Sequence, residues 1–116
     1  YRLTHDWTES GATWNCPDDL EPQNQSPNCT GNTWDMSSTS TPPYVTSTID
    51  TVFITNNASG TISFNLTNEI QAMTTGAVQN YGWLIRKIEE SQSGSLEVGS
   101  REAGNGLGGE LIVRYE

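Results

Sequence analysis

Basic residues are scarce in this 116-residue sequence: five Lys and Arg stand against 14 Asp and Glu, for a net charge of −9. A chain of that sign has nothing to neutralise phosphates, so a nucleic-acid partner is not expected. Acidic polymers are disfavoured as well, unless a cation bridges the two. Histidine is down to one residue, His5, and cysteine to two, Cys16 and Cys29. That set falls short of a zinc site, and no metal or other cofactor is indicated. Apolar runs approaching the roughly 20 residues that span a bilayer are missing, which argues against membrane insertion. The opening YRLTHDWTES does not resemble a signal peptide. Long charged helix formers are few. Thr, Ser, Asn and Gly take their place beside four Trp, four Tyr and two Phe, a mixture suited to strands and turns.

The length supports one core, so a single domain over 1–116 is expected. Residues 1–7 alternate, with Tyr1, Leu3 and His5 on one face. Residues 15–44 read as a long polar connection, and its stretch SSTSTPPYVTST is linker-like and open to O-glycosylation. Strand-forming runs follow at 51–55 and 60–66. TNEIQAM then suggests one short helix with Thr67 as cap and Glu69 in its first turn. From Tyr81 onward three alternating runs, YGWLIRKIEE, SLEVGSRE and ELIVRYE, are separated by short turns. They read as an antiparallel meander, and the fold class expected is an all-β sandwich or barrel.

One stretch imitates a nucleotide-binding loop. GNGLGG, residues 104–109, spells G-x-G-x-x-G, yet a strand rather than a helix follows it. No helix N-terminus is available to receive a pyrophosphate, so the glycines read as a bend between strands. Nucleophilic catalysis is equally hard to assemble from one imidazole and two cysteines, with no G-x-S-x-G elbow. Paired carboxylates for glycoside cleavage remain an open alternative. Adjacent pairs such as Asp18-Asp19 and Glu89-Glu90 read more simply as solvated surface, or at most as a loop calcium site. The chain is therefore expected not to be an enzyme.

Cys16 and Cys29 lie in NCPDDLEPQNQSPNCT, a stretch full of Pro, Asn and Asp. A disulfide closing it is the better reading, with two free thiols the alternative, and it points to an extracellular or cell-surface location. Four N-glycosylation sequons agree: Asn24-Gln-Ser, Asn28-Cys-Thr, Asn57-Ala-Ser and Asn65-Leu-Thr. Ten Asn and 27 Ser or Thr would give about two by chance. Alternation places Asn65 opposite Ile62, Phe64 and Leu66. Among aromatics, Trp7, Trp14 and Trp83 read as core. Trp34 and Tyr44, set among polar residues, are the candidates for an exposed sugar-stacking platform, or else they pin the loop.

The segments Asn80-Tyr-Gly-Trp, Ser100-Arg-Glu and Leu111-Ile-Val-Arg-Tyr115 resemble the closing strands of the DNRLRE-type domain. DWTESGATWN resembles its W-x-E-x-x-x-T-W-N segment through Trp7, Glu9, Thr13, Trp14 and Asn15. ISFNLTNEI resembles its strand ending in D-[VL]-T, with Asn65 where Asp is usual. The resemblance implies a jelly-roll-like antiparallel β-sandwich, here lacking its N-terminal strands. It also implies a non-catalytic extracellular module related to carbohydrate-binding modules and associated with polysaccharide. The missing strands suggest an alternative: a structural subunit of a glycosylated fibre or surface layer, assembled by strand complementation. Its partners would be neighbouring subunits or the rest of a longer chain, and its sugar would be attached rather than bound.

Overall fold

The computed structural model describes residues 1–31, 33–38, 41–89, 91, 93–104 and 106–114. Glu90 of the second acidic pair, Asn105 of the glycine loop and Tyr115 of the last expected strand lie outside them. The chain divides into two units, Tyr1–Arg86 and Lys87–Glu116.

In the first unit the expected N-terminal strand forms only in part. Leu3 N donates to Gly82 O at 3.0 Å and Leu84 N to Tyr1 O at 2.8 Å. On the other side Thr4 N donates to Pro43 O and Val45 N to Arg2 O, both at 2.9 Å. The result is two isolated antiparallel bridges, Arg2 with Trp83 and Leu3 with Tyr44. Neither extends into a ladder, and the flanking residues explain why. Pro42 and Pro43 supply no N–H, and Gly82 turns the other segment with φ of 88°.

The jelly-roll-like β-sandwich expected from the sequence is therefore not formed. The described residues hold three isolated bridges, one α-helix and one 3₁₀ turn, and no sheet. Local chemistry accounts for part of the difference. Side-chain oxygens of Asp19, Asn24, Asp35, Asn65 and Asn80 each accept the backbone N–H two residues on. Of these donors only Gly82 N lies in an expected strand, and the Asp50 carboxylate takes two more strand N–H groups, those of Thr51 and Asn65. The runs at 51–55 and 60–66 have strand-like composition but make no ladder, because β-propensity measures fit to a paired, half-buried surface. All of residues 51–60 are exposed.

A small core gathers on residues 1–4. Leu3, Trp34, Met36 and Tyr44 are buried, with Tyr1, Tyr81 and Leu84 packed against them. Tyr1 meets Tyr44 edge-on at 5.3 Å between ring centroids. The Arg86 guanidinium lies over the Tyr44 ring and donates to its hydroxyl. Three of the four buried residues thus come from 15–44, so that segment is a core contributor as well as a connection. Its return path is fixed by Trp34 N to Asn15 O at 3.3 Å, Met36 N to Trp14 O at 3.4 Å and Trp34 Nε1 to Thr13 O at 2.8 Å.

The expected helix is present as α1, Thr67–Thr74. Its cap differs from expectation, since Thr67 is the first helical residue and Asn65 Oδ1 accepts its N–H at 3.0 Å. Glu69 in the first turn approaches Arg2 at 3.7 Å, an ion pair too long for a hydrogen bond. In the second unit, Ser100-Arg-Glu leads into a 3₁₀ turn, Arg101–Ala103, instead of ending a strand. Gly104 and Gly106 take φ of 68° and 70°, which fits the reading of that loop as a bend.

Gly11 shows how tightly the first unit is tied. It is buried; its N–H points at Thr8 and its carbonyl accepts Asp19 N at 2.7 Å. A Cβ there would overlap the Asp18 carboxylate and come within 2.8 Å of the Thr8 hydroxyl. Gly11→Ala should therefore destabilise by about 1–3 kcal/mol. Gly109→Ala, with nothing within 4 Å, should be close to neutral. Paired urea unfolding curves check the difference.

Candidate functional site

A polar loop is closed by the Cys16–Cys29 disulfide, whose Cα atoms are 5.3 Å apart. Cys16 is fully buried. Closing a loop of this length contributes ~3 kcal/mol on the chain-entropy account. The Asp18-Asp19 pair braces it from within. Asp19 is buried and its Oδ1 accepts Glu21 N at 3.0 Å and Asn28 N at 3.4 Å, while its backbone bridges Cys29. Asp18 turns the other way, accepting the Thr8 hydroxyl at 2.6 Å and the Thr30 hydroxyl. Its carbonyl takes Thr30 N at 2.9 Å. Both carboxylates, expected as solvated surface or a loop cation site, are instead spent on backbone and hydroxyl donors. The Thr30 hydroxyl, then the Thr8 hydroxyl, hold the Asp18 carboxyl below its ordinary value.

All four sequon asparagines are exposed. Asn24 is held at both ends of its carboxamide, with Nδ2 donating to Glu21 at 2.8 Å and Oδ1 accepting Ser26 N at 2.7 Å. Asn28 shares the braced loop. Asn57 occupies the turn closed by Ala58 N to Thr55 O at 3.1 Å, with φ of 61°. Asparagine tolerates that left-handed conformation better than most residues. Asn65 is positioned by Asp50, whose two carboxylate oxygens accept Thr51 N and Asn65 N, each at 2.7 Å. Those bonds, Asn65 first, hold the Asp50 carboxyl below its ordinary value. A groove of about 350 Å³ opens here, lined by Ile49, Asp50, Asn65, Thr67 and Asn68.

Of the two readings of Trp34 and Tyr44, the structure takes the one in which they pin the loop, while two of the three expected core tryptophans are exposed. Trp34 and Tyr44, the candidates for an exposed platform, are each only 8% exposed and belong to the core. Trp7 and Trp14, expected in the core, are 40% and 53% exposed. Polar sequence neighbours hid the burial of Trp34, which is covered by residues distant in sequence. The Trp7 indole is nonetheless fixed, donating to Tyr81 O at 2.8 Å. Trp83 is half-buried, with no partner for its indole N–H among the described residues. A second groove of about 270 Å³ is lined by Tyr1, Ser37, Ser38, Tyr44, Thr46 and Arg86. His5 is exposed and within 2.9 Å of the Thr4 hydroxyl. The two cysteines are committed to their disulfide. No group of three or more His, Cys, Asp or Glu among the described residues is arranged to hold a metal ion.

The carboxylates make a pH prediction. Asp18, Asp35 and Asp50 all lie below their ordinary value because the folded chain donates hydrogen bonds to the ionised form. Their contribution to stability is present above the unfolded-state value and is lost as pH falls through the lower folded-state values. Titration followed by NMR should show the Thr8 and Thr30 amides shifting together below pH about 4. Asp18→Asn should remove that coupled transition and leave the one at Asp50 in place.

No family model, curated protein or solved structure matches this chain.

Proposed function

We propose that this chain is a non-catalytic structural module of an extracellular or cell-surface assembly, completed by pairing its β-forming stretches with another polypeptide. The partner is a neighbouring subunit or the rest of a longer chain. The observation that carries this reading is apolar exposure. Val52, Phe53, Ile54 and Phe64 in the first unit are exposed, as are Leu96, Val98, Leu111, Ile112 and Val113 in the second. Phe53 reaches 89%. Burying a side chain of this kind is worth ~1.5–3 kcal/mol relative to leaving it in water. Extended segments also carry backbone donors and acceptors that an added strand would satisfy.

The disulfide supports an oxidising compartment. Four exposed sequons suit a surface that meets solvent and carries attached sugar. The non-catalytic character is supported by the state of the obvious nucleophiles, both oxidised, and by the solvated position of His5. Association with polysaccharide is a second reading, favoured by the exposed indoles of Trp7 and Trp14. Trp7, anchored to Tyr81 O, presents a fixed aromatic face of the kind that stacks on sugar rings. These two residues would take the role that the sequence suggested for Trp34 and Tyr44.

Sedimentation velocity on the 116-residue chain tests the main reading. Association should grow with protein concentration and with ionic strength, because salt screens the repulsion between chains of charge −9. The double variant Phe53→Glu, Val98→Glu should remain monomeric throughout. A wild-type chain that stays monomeric at every concentration and salt would remove self-association, leaving the remainder of a longer chain as the partner. Failure of that longer chain to cover Phe53 and Val98 would sink the proposal.

A further inference from the structure

The four sequons cease to be equivalent once their hydroxyl groups are traced. Glycan transfer forms a bond between Asn Nδ2 and C1 of a sugar carried on a lipid phosphate. The C1–O bond breaks, the lipid phosphate leaves with its electron pair, and Nδ2 gives up a proton. The Ser or Thr two residues on belongs to the acceptor motif, and its side chain offers one hydroxyl for recognition. A hydroxyl already bound within the fold must be released before a transferase can use it.

In Asn28-Cys29-Thr30 the hydroxyl and the backbone are engaged, while the Asn28 carboxamide makes no hydrogen bond among the described residues. Thr30 Oγ1 donates to the Asp18 carboxylate, and Thr30 N donates to Asp18 O at 2.9 Å. Cys29 is bonded to Cys16. Asn28 itself donates its N–H to Asp19 Oδ1 at 3.4 Å and accepts Leu20 N at 3.1 Å. Asn65 is the opposite case. Its Oδ1 accepts Thr67 N, and among the described residues its Nδ2 and the Thr67 hydroxyl make no hydrogen bond. Both residues line the 350 Å³ groove. Asn57 stands on an exposed turn, and neither its side chain nor the Ser59 hydroxyl is bonded among the described residues. Asn24 lies between these extremes, with Nδ2 bonded to Glu21 and Pro27 restricting Ser26.

We infer that the fold selects among its sequons. Asn57 and Asn65 are N-glycan acceptors in the folded chain, whereas Asn28 is a slow acceptor while the Cys16–Cys29 loop is closed and a faster one once it opens or its Thr30 hydroxyl is released. Disulfide closure then slows modification of Asn28, so the time the loop spends open sets its occupancy. That the chain meets a transferase in its cell rests on the extracellular reading. The order of preference among the sites does not.

A cell-free reaction separates the two questions. The purified oxidised chain, the dithiothreitol-reduced chain and the Cys16→Ser, Cys29→Ser variant, which keeps an Asn-Ser-Thr sequon, are each incubated with transferase-bearing membranes and a lipid-linked oligosaccharide. Peptide mass spectrometry reads the occupancy of each site. Asn57 and Asn65 should fill in all three. Asn28 should lag in the oxidised chain and rise on the order of threefold or more when the loop opens, the factor that one net hydrogen bond represents. Asp18→Ala with the disulfide intact should raise Asn28 without moving Asn65, which assigns the effect to the Thr30 hydroxyl. Oxidised chain that fills Asn28 as fast as Asn65, or that leaves both Asn57 and Asn65 bare, overturns the inference. Protein from its native source bearing no glycan, with the cell-free preference intact, overturns only the premise that the chain meets a transferase in its cell.

Discussion

The first unit depends on the pairing of residues 1–4 from both sides. Leu3 is the pivot: its backbone bonds Gly82, its bridge partner across the other edge is Tyr44, and its side chain is buried. Segments from the start, the middle and the end of the unit meet at this point. Each pairing is a single bridge, so hydrogen bonding alone contributes little, about 0.5–1.5 kcal/mol per bond. Packing of Trp34, Met36 and Tyr44 over Leu3 has to supply the rest. This is a small core, and beyond it the chain relies on cross-links of other kinds.

Those cross-links are the reason an acidic, hydroxyl-rich composition folds as it does. Between Trp7 and Thr33 almost no large apolar side chain is buried. The disulfide and the two aspartates take over, with Asp19 turned toward backbone N–H groups and Asp18 toward two threonine hydroxyls. Asp35 and Asp50 do the same for the turns at Ser37 and Thr51. A carboxylate that accepts donors from the fold is held in its ionised form. Part of the net negative charge is therefore structural, not an electrostatic field left for a partner.

Some of this organisation was legible in the sequence. The disulfide followed from two cysteines in a Pro- and Asn-rich stretch, and α1 from the spacing of Ile70 and Met73. Of the strand expected over residues 1–7, only the single bridges at Arg2 and Leu3 form. The sandwich was not formed, because alternation records which faces would be apolar and says nothing about whether a partner strand is present. Composition had another meaning as well: Asp, Asn, Ser and Thr favour strand-and-turn architectures in general, yet here they mostly close local turns in the polar connection and at the helix start. The placement of the tryptophans has a similar origin. Trp34 sits in a polar stretch and is buried by Leu3 and Tyr44, a contact that no local pattern encodes. Trp14 sits in a patterned stretch but presents its backbone, not its indole, to Met36.

Glycan and partner would have to share the run 61–66, and its alternation divides them. Ile62 and Leu66 are half-buried and Phe64 is 38% exposed, while Ser63 and Asn65 are exposed. A glycan on Asn65 projects from the polar side, where Asp50 fixes the backbone and the groove is open. An incoming polypeptide gains most by covering the side that bears Phe64, where apolar area remains in water. In an extended segment those sides are opposite, so one modification need not exclude the other. The same glycan would block pairing on the wrong face, and a bulky hydrated group on one side of an open strand-forming run leaves a single productive orientation for association. Attached sugar at Asn65 would then act as a determinant of assembly geometry, through steric exclusion, without contacting the partner at all.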